Sequence, residues 1–94
     1  MFVRVVRFAD VQPEQVDALL ARIDEAGGPP PDAPVKGLQI LFDEEHRTSV
    51  VLQLFESEED MRRGGAVFAA MDPSDTPGRR VSVDECELRK ELSV

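Results

Sequence analysis

Three polar side chains interrupt stretches that are otherwise apolar: Arg4 in FVRVVRF, Gln39 in GLQILF and Gln53 in VVLQLF. An arginine offers a planar fork of donors that matches carboxylate oxygens, and a glutamine amide both donates and accepts. Brought together on adjacent strands, the three can orient a carboxylate, a phenol or a quinone oxygen. The alternative is a polar network across a subunit interface, with Arg4 held by backbone carbonyls or by an acid such as Asp84 or Glu87. A buried arginine needs a partner in either case. Phe55, Met61 and Phe68 are the apolar candidates for lining a site beside them. Methionine facing a cavity tolerates varied ligands, although core packing is its plainer role.

The remaining reactive residue types point away from chemistry. His46, the one histidine, has the side chain most suited to proton transfer near neutral pH. It falls among Glu44, Glu45 and Arg47 in a charged turn, which predicts a solvated imidazole. Cys86 lies among Asp84, Glu85 and Glu87, whose carboxylates disfavour a thiolate, so it reads as core filler rather than a nucleophile. The acid groups Glu44-Glu45, Glu58-Glu59-Asp60 and Asp84-Glu85 have no histidine beside them in a ligating pattern and read as solvated faces. Phosphate-binding glycine loops, CxxC pairs and nucleophile elbows are all missing from the sequence. No catalytic residue, metal or cofactor is assigned.

The elements that must position these residues centre on Gly37 to Glu56, GLQILFDEEHRTSVVLQLFE, two strands joined by the turn Asp43 to Arg47. A first strand spans Phe2 to Phe8. Pro13, tolerated at the first helical position, opens a helix to Ala26, with Gln15 placed to reach back toward the chain before it. Val16, Leu19, Leu20 and Ile23 give it one apolar stripe. Gly27-Gly28 can take the left-handed turn that ends a helix, and Pro29-Pro30-Pro31 makes the connector stiff. Ser57 caps a second helix over Glu58 to Met71, with three acids in its first turn where the helix dipole favours them. Gly64-Gly65 inside it implies close packing, a bend, or a break into two helices. The segment MDPSDTPG, residues 71–78, is rich in turn formers and reads as a connector or as the rim of a pocket. A last strand runs from Arg79 to Leu92, and its change of apolar parity predicts either a bulge near Asp84-Glu85 that keeps its apolar residues toward the helices or a crossing into a partner subunit's sheet that exchanges faces.

The order βαββαβ predicts a ferredoxin-like α+β fold: an antiparallel sheet of order 4-1-3-2 with both helices on one face. Residues 1–94 are expected to form a single such domain. Strands apolar on both sides belong to a sheet covered twice. Leu38, Ile40 and Phe42 are placed with Val50, Leu52 and Leu54. The uncovered face is expected to carry Phe2, Val6, Phe8, Leu41, Val51 and Phe55, with Arg4, Gln39 and Gln53 among them. A bare patch of that size is rare on a monomer, so a second copy is expected to cover it, closing an α/β barrel.

Composition narrows the partners. A chain of 94 residues buries roughly 60–65% of its unfolded surface, which leaves room for a subunit to add burial. The net charge of −8 repels phosphate backbones and anionic membranes. Outward aromatics such as Phe2 and Phe55 meet only half of what RNA recognition needs; the acidic surface opposes the rest. MFVRVVRFAD, broken by arginines, reads as a strand and not as a signal peptide, and no apolar run reaches a membrane span of about 20 residues. A soluble, cytoplasmic protein is expected, consistent with a single cysteine.

The opening VRVVRF, the GGPPP connector and the MDPSDTPG loop resemble a small actinobacterial subgroup of uncharacterised proteins. That subgroup falls within the dimeric α/β-barrel superfamily, in its antibiotic-biosynthesis-monooxygenase-like branch, and the resemblance spans essentially the whole chain. It implies a homodimer through the sheet face and a pocket for a small lipophilic or aromatic molecule. It also implies an alternative, a cofactor-independent monooxygenase or isomerase acting on a polyketide-like aromatic. Haem-degrading relatives use a histidine on the second helix with a nearby asparagine and tryptophan; this chain has no Trp, Tyr or Asn and no histidine there. Those absences count against haem degradation and weaken the monooxygenase reading.

Overall fold

In the computed structural model, which describes residues 1–28, 31–71 and 77–93, six elements follow one another. They are β1 (Phe2–Ala9), α1 (Pro13–Ala26), β2 (Gly37–Asp43), β3 (Thr48–Phe55), α2 (Glu58–Ala69) and β4 (Arg79–Glu87). The strands form one antiparallel sheet of order β2-β3-β1-β4, the ferredoxin-like arrangement expected. Local chemistry sets the helix ends. Pro13 begins α1, the Gln12 N–H donates to Gln15 Oε1 at 3.0 Å, and Gly27 ends the helix at φ 78°. At α2 the Ser57 Oγ accepts from the Asp60 N–H at 3.1 Å, and the helix continues unbroken through Gly64-Gly65. Pro29 and Pro30 of the connector, and positions 72–76 of the segment read as a connector or pocket rim, lie outside the described residues.

The hairpin register decides which residues share a face. Asp43 pairs with Thr48, so Leu38 stands opposite Gln53, Ile40 opposite Val51 and Phe42 opposite Ser49. On the other side of β3, Phe2 meets Phe55, Arg4 meets Gln53 and Val6 meets Val51. Val6, Phe8, Val11 and Val16 of α1 form a buried core with Phe42 and Val51 packed against it. Gly64 of α2 lies on the Phe55 ring and Gly65 on the Arg4 side chain. Both helices therefore cover the face of Arg4, Val6, Phe8, Gln53 and Phe55, the face expected to be bare. Two things misled the expectation. β1 and β3 are apolar on both sides, so alternation alone does not choose a face. Pairing Leu38, Ile40 and Phe42 with Val50, Leu52 and Leu54 was also one residue out of register, and a slip of one exchanges faces.

The uncovered face carries Val3, Val5, Val50, Leu52 and Leu54, half-buried by their own neighbours, and Leu41, 52% exposed. α1 is loosely seated: Val16 is buried, but Leu19 and Ile23 are half-buried and Leu20 is 43% exposed.

Strand β4 differs from expectation in two ways. It ends at Glu87, with Leu88 and Leu92 exposed beyond it and the Leu88 N–H donating to Met1 O at 2.9 Å. The irregularity falls earlier: Arg7 pairs with Ser82 and Phe8 with Arg80, leaving Val81 as the extra residue. With Leu88 and Leu92 outside the strand, no bulge is needed near Asp84. Val83 stands opposite Val6 toward the helices and Cys86 opposite Val3 on the uncovered face, where it is exposed rather than core filler.

A Cβ at Gly64 would come within 2.7 Å of Phe55 Cζ, a rigid ring with no exposed surface. Gly64→Ala should therefore lower unfolding free energy in urea by about 1–3 kcal/mol, despite the gain in helix propensity. At Gly65 the obstacle is the Arg4 Nε at 3.2 Å, on a side chain able to shift, so Gly65→Ala should change stability by less than about 1 kcal/mol. Equal effects in the two variants would mean that α2 is not seated on Phe55.

Candidate functional site

The centre of the helix-covered face is polar. Arg4 is 6% exposed and Gln53 5%, and Arg4 Nη1 donates to Gln53 Oε1 at 2.9 Å. They meet because β1 and β3 place them directly opposite one another, and cross-strand partners on one face are the closest side-chain neighbours a sheet provides. Gly65 lets the backbone of α2 rest on the Arg4 side chain. Met61, Gly64, Gly65 and Phe68 follow the i, i+3, i+4, i+7 spacing of one helix face. Met61 is buried and Phe68 half-buried. On the β2 side, half-buried Leu38 flanks Gln53.

Arg4 has no carboxylate partner among the described residues. Asp84, expected as one possibility, stands opposite Val5 on the uncovered face. Glu87, the other, stands opposite Phe2 and pairs with Arg89 at 3.6 Å. Glu85 is opposite Arg4 in register but is exposed and makes no ion pair with it. The Arg4 pKa is lowered, first by burial and then by the positive charge of Arg80; Glu85 acts in the opposite sense. An arginine stays protonated under such a shift, so the site holds a charged guanidinium with one neutral hydrogen-bond partner.

Five of the six expected site residues (Arg4, Gln53, Phe55, Met61 and Phe68) thus belong to the layer between sheet and helices. Gln39 does not. It stands opposite Leu52 on the uncovered face and is exposed, for the register reason given above. Sequence reading missed Ser49, a buried polar residue on the same face as Gln53. Period-two counting back from Gln53 through Val51 reaches it.

His46 sits at the hairpin tip, at the far end of β3 from Gln53. As expected it is exposed. Its ring Nδ1 lies 2.8 Å from Asp43 Oδ2, and its N–H donates to Asp43 Oδ1 at 3.1 Å. Those two contacts, the ring contact first, hold the Asp43 carboxyl below the usual aspartate range. Among the described residues no three His, Cys, Asp or Glu side chains are grouped to hold a metal ion.

No protein-family model matches the sequence, and no curated protein matches it. Among solved structures, two similar to the chain bear on its fold. One is a substituted MhuD with two manganese protoporphyrin IX bound per active site, at TM-score 0.63 and 16% identity over 100% of both chains. The other is Rv0793 from Mycobacterium tuberculosis, at TM-score 0.57 and 15% identity over 98% of each chain. What they share with this protein is the ferredoxin-like fold. Identity this low carries the architecture and no residue's role.

Two measurements probe these contacts. Gln53→Met removes the acceptor from a buried guanidinium and should destabilise by about 2–3 kcal/mol, whereas Arg4→Met/Gln53→Met should recover most of that loss in urea unfolding. A double variant no more stable than the single one would show that the guanidinium is not the source. At the hairpin tip, His46→Ala should return the Asp43 carboxyl toward its ordinary pKa in an NMR titration. Because the folded-state value is the lower one, the contact's small stabilisation is present above the ordinary aspartate range and lost as pH falls through the depressed value. An unmoved Asp43 titration would reject the contact.

Proposed function

We propose that the protein binds a small lipophilic or aromatic molecule against the helix-covered face of its sheet and acts as a homodimer joined through the other face. The observation that carries the binding reading is the buried Arg4–Gln53 pair in a largely apolar layer. A buried cation with a neutral partner is a poor device for stability, since removing it from water costs several kcal/mol that one amide does not return. A few convergent polar groups amid apolar walls are what orient a ligand. Half-buried Leu19, Ile23, Leu38 and Phe68 supply apolar surface on α1, β2 and α2. The likeness to MhuD adds that a chain of this fold accommodates large flat rings.

A cofactor-independent monooxygenase or isomerase is the second reading. Arg4 favours it, because a guanidinium stabilises the phenolate or enolate on which such reactions depend. The residues do not suit a haem held by imidazole, since the sole histidine stands at the exposed hairpin tip.

The dimer reading rests on the uncovered face, where Val3, Val5, Leu41, Val50, Leu52 and Leu54 are contiguous in register. Covering roughly 400 Å² of such surface gains about 10 kcal/mol before association costs, at ~25 cal/mol per Å². Light scattering should report twice the 10.4 kDa chain mass, and Leu52→Glu should reduce it to one chain. A wild-type monomer at low micromolar concentration would reject the dimer. For the site, naphthalene-sized probes should bind and be weakened about ten-fold by Phe68→Ser, the loss expected for one buried aromatic contact. Failure to bind any such probe would reject the pocket.

A further inference from the structure

We infer that the ligand carries a carboxylate, which enters as the counter-ion of Arg4. This deepens the binding reading above and rests on it. The first argument is charge. Arg4 is buried, no carboxylate of the described residues pairs with it, and the charges that act on it are that of Arg80, which reinforces the positive field, and the smaller, opposing one of exposed Glu85. The chain has 19 acidic residues against 11 basic ones, yet the side chain facing Arg4 in register is an amide. An acid at position 53 would have neutralised the site permanently.

The second argument is hydrogen-bond polarity. Gln53 turns its carbonyl oxygen toward Arg4 Nη1, which takes one of that oxygen's two lone pairs and leaves the amide NH2 unengaged. Arg4 has donors only. The pair therefore presents mainly donors to a ligand, backed by one net positive charge, and its one remaining acceptor lone pair sits on the oxygen already turned toward Arg4. A phenol or alcohol brings a proton that needs an acceptor, and a primary amide brings two. A carboxylate has no proton and two oxygens, and it matches a planar fork in shape as well as sign. The apolar surroundings strengthen the match, because a charge-assisted bond shielded from water is worth more than one in solvent.

The experiment compares 2-naphthoate with its uncharged isostere 2-naphthamide by fluorescence titration of the wild-type chain near neutral pH. With no Trp and no Tyr in the sequence, the naphthyl emission is read without protein background. The carboxylate should bind about ten-fold more tightly, as expected when charge-assisted bonds replace neutral ones. Gln53→Glu, which supplies a carboxylate from the protein itself, should abolish that preference while 2-naphthamide still binds. Arg4→Met should abolish it too, with its fold checked by circular dichroism. Equal wild-type affinities would overturn the carboxylate inference and leave the apolar pocket standing; binding of neither probe would overturn both. A preference that survives in Gln53→Glu would also overturn it, because the acid would then be met somewhere other than at Arg4.

Discussion

The pairing of Asp43 with Thr48 across the hairpin turn is the constraint on which the rest depends. Arg47 in the left-handed region, together with the Asp43 contacts to His46, closes that turn at a set length. From there, strict alternation carries the choice down both strands: Phe42, Ile40 and Leu38 fall on the side of Ser49, Val51 and Gln53. Because β1 pairs with β3, the same choice reaches Val6, Arg4 and Phe2. A turn one residue longer would turn β2 over, placing Gln39 and Leu41 under the helices and Phe42 outside.

Given that register, α2 completes the site by proximity. Its paired glycines lower the helix onto the ring of Phe55 and the side chain of Arg4, which a Cβ at either position would crowd. Helix propensity is sacrificed there for contact, at up to about 1 kcal/mol per glycine. The result joins a tightly packed end, under Gly64, to a looser one, where α1 leaves Leu20 exposed and Leu19 and Ile23 half-covered. A hydrogen-bonded polar pair and incompletely packed apolar surface within one layer are the two features by which a small molecule can be oriented and admitted.

Much of this was legible in the residues. Pro13, Gly27 and Ser57 mark helix ends through well-defined local chemistry, and those ends fall where the sequence places them. The βαββαβ order and the strand order followed from element count and connection length. Arg4 and Gln53 stood out as polar residues inside apolar runs, and they are in contact. What was not legible was the choice between two nearly equivalent apolar faces. That choice is a tertiary matter, settled by the hairpin register and by which aromatic side chains the helices cover. Gln39 was misplaced for the same reason, whereas Cys86 and the bulge were misplaced because Leu88 and Leu92 were counted into β4, which stops at Glu87.

Val81, the surplus residue of β4, bears on how copies of this chain can meet. β4 borders the sheet, and a flat bordering strand would offer its free N–H and C=O groups to any other strand. The register shift at Val81 interrupts that row, and Asp84, Glu85 and Glu87 follow it with a run of negative charge on an exposed strand. Two such margins laid side by side would set like charges against each other and mismatch their ladders. Lateral growth into a continuous ribbon is thereby disfavoured along this margin.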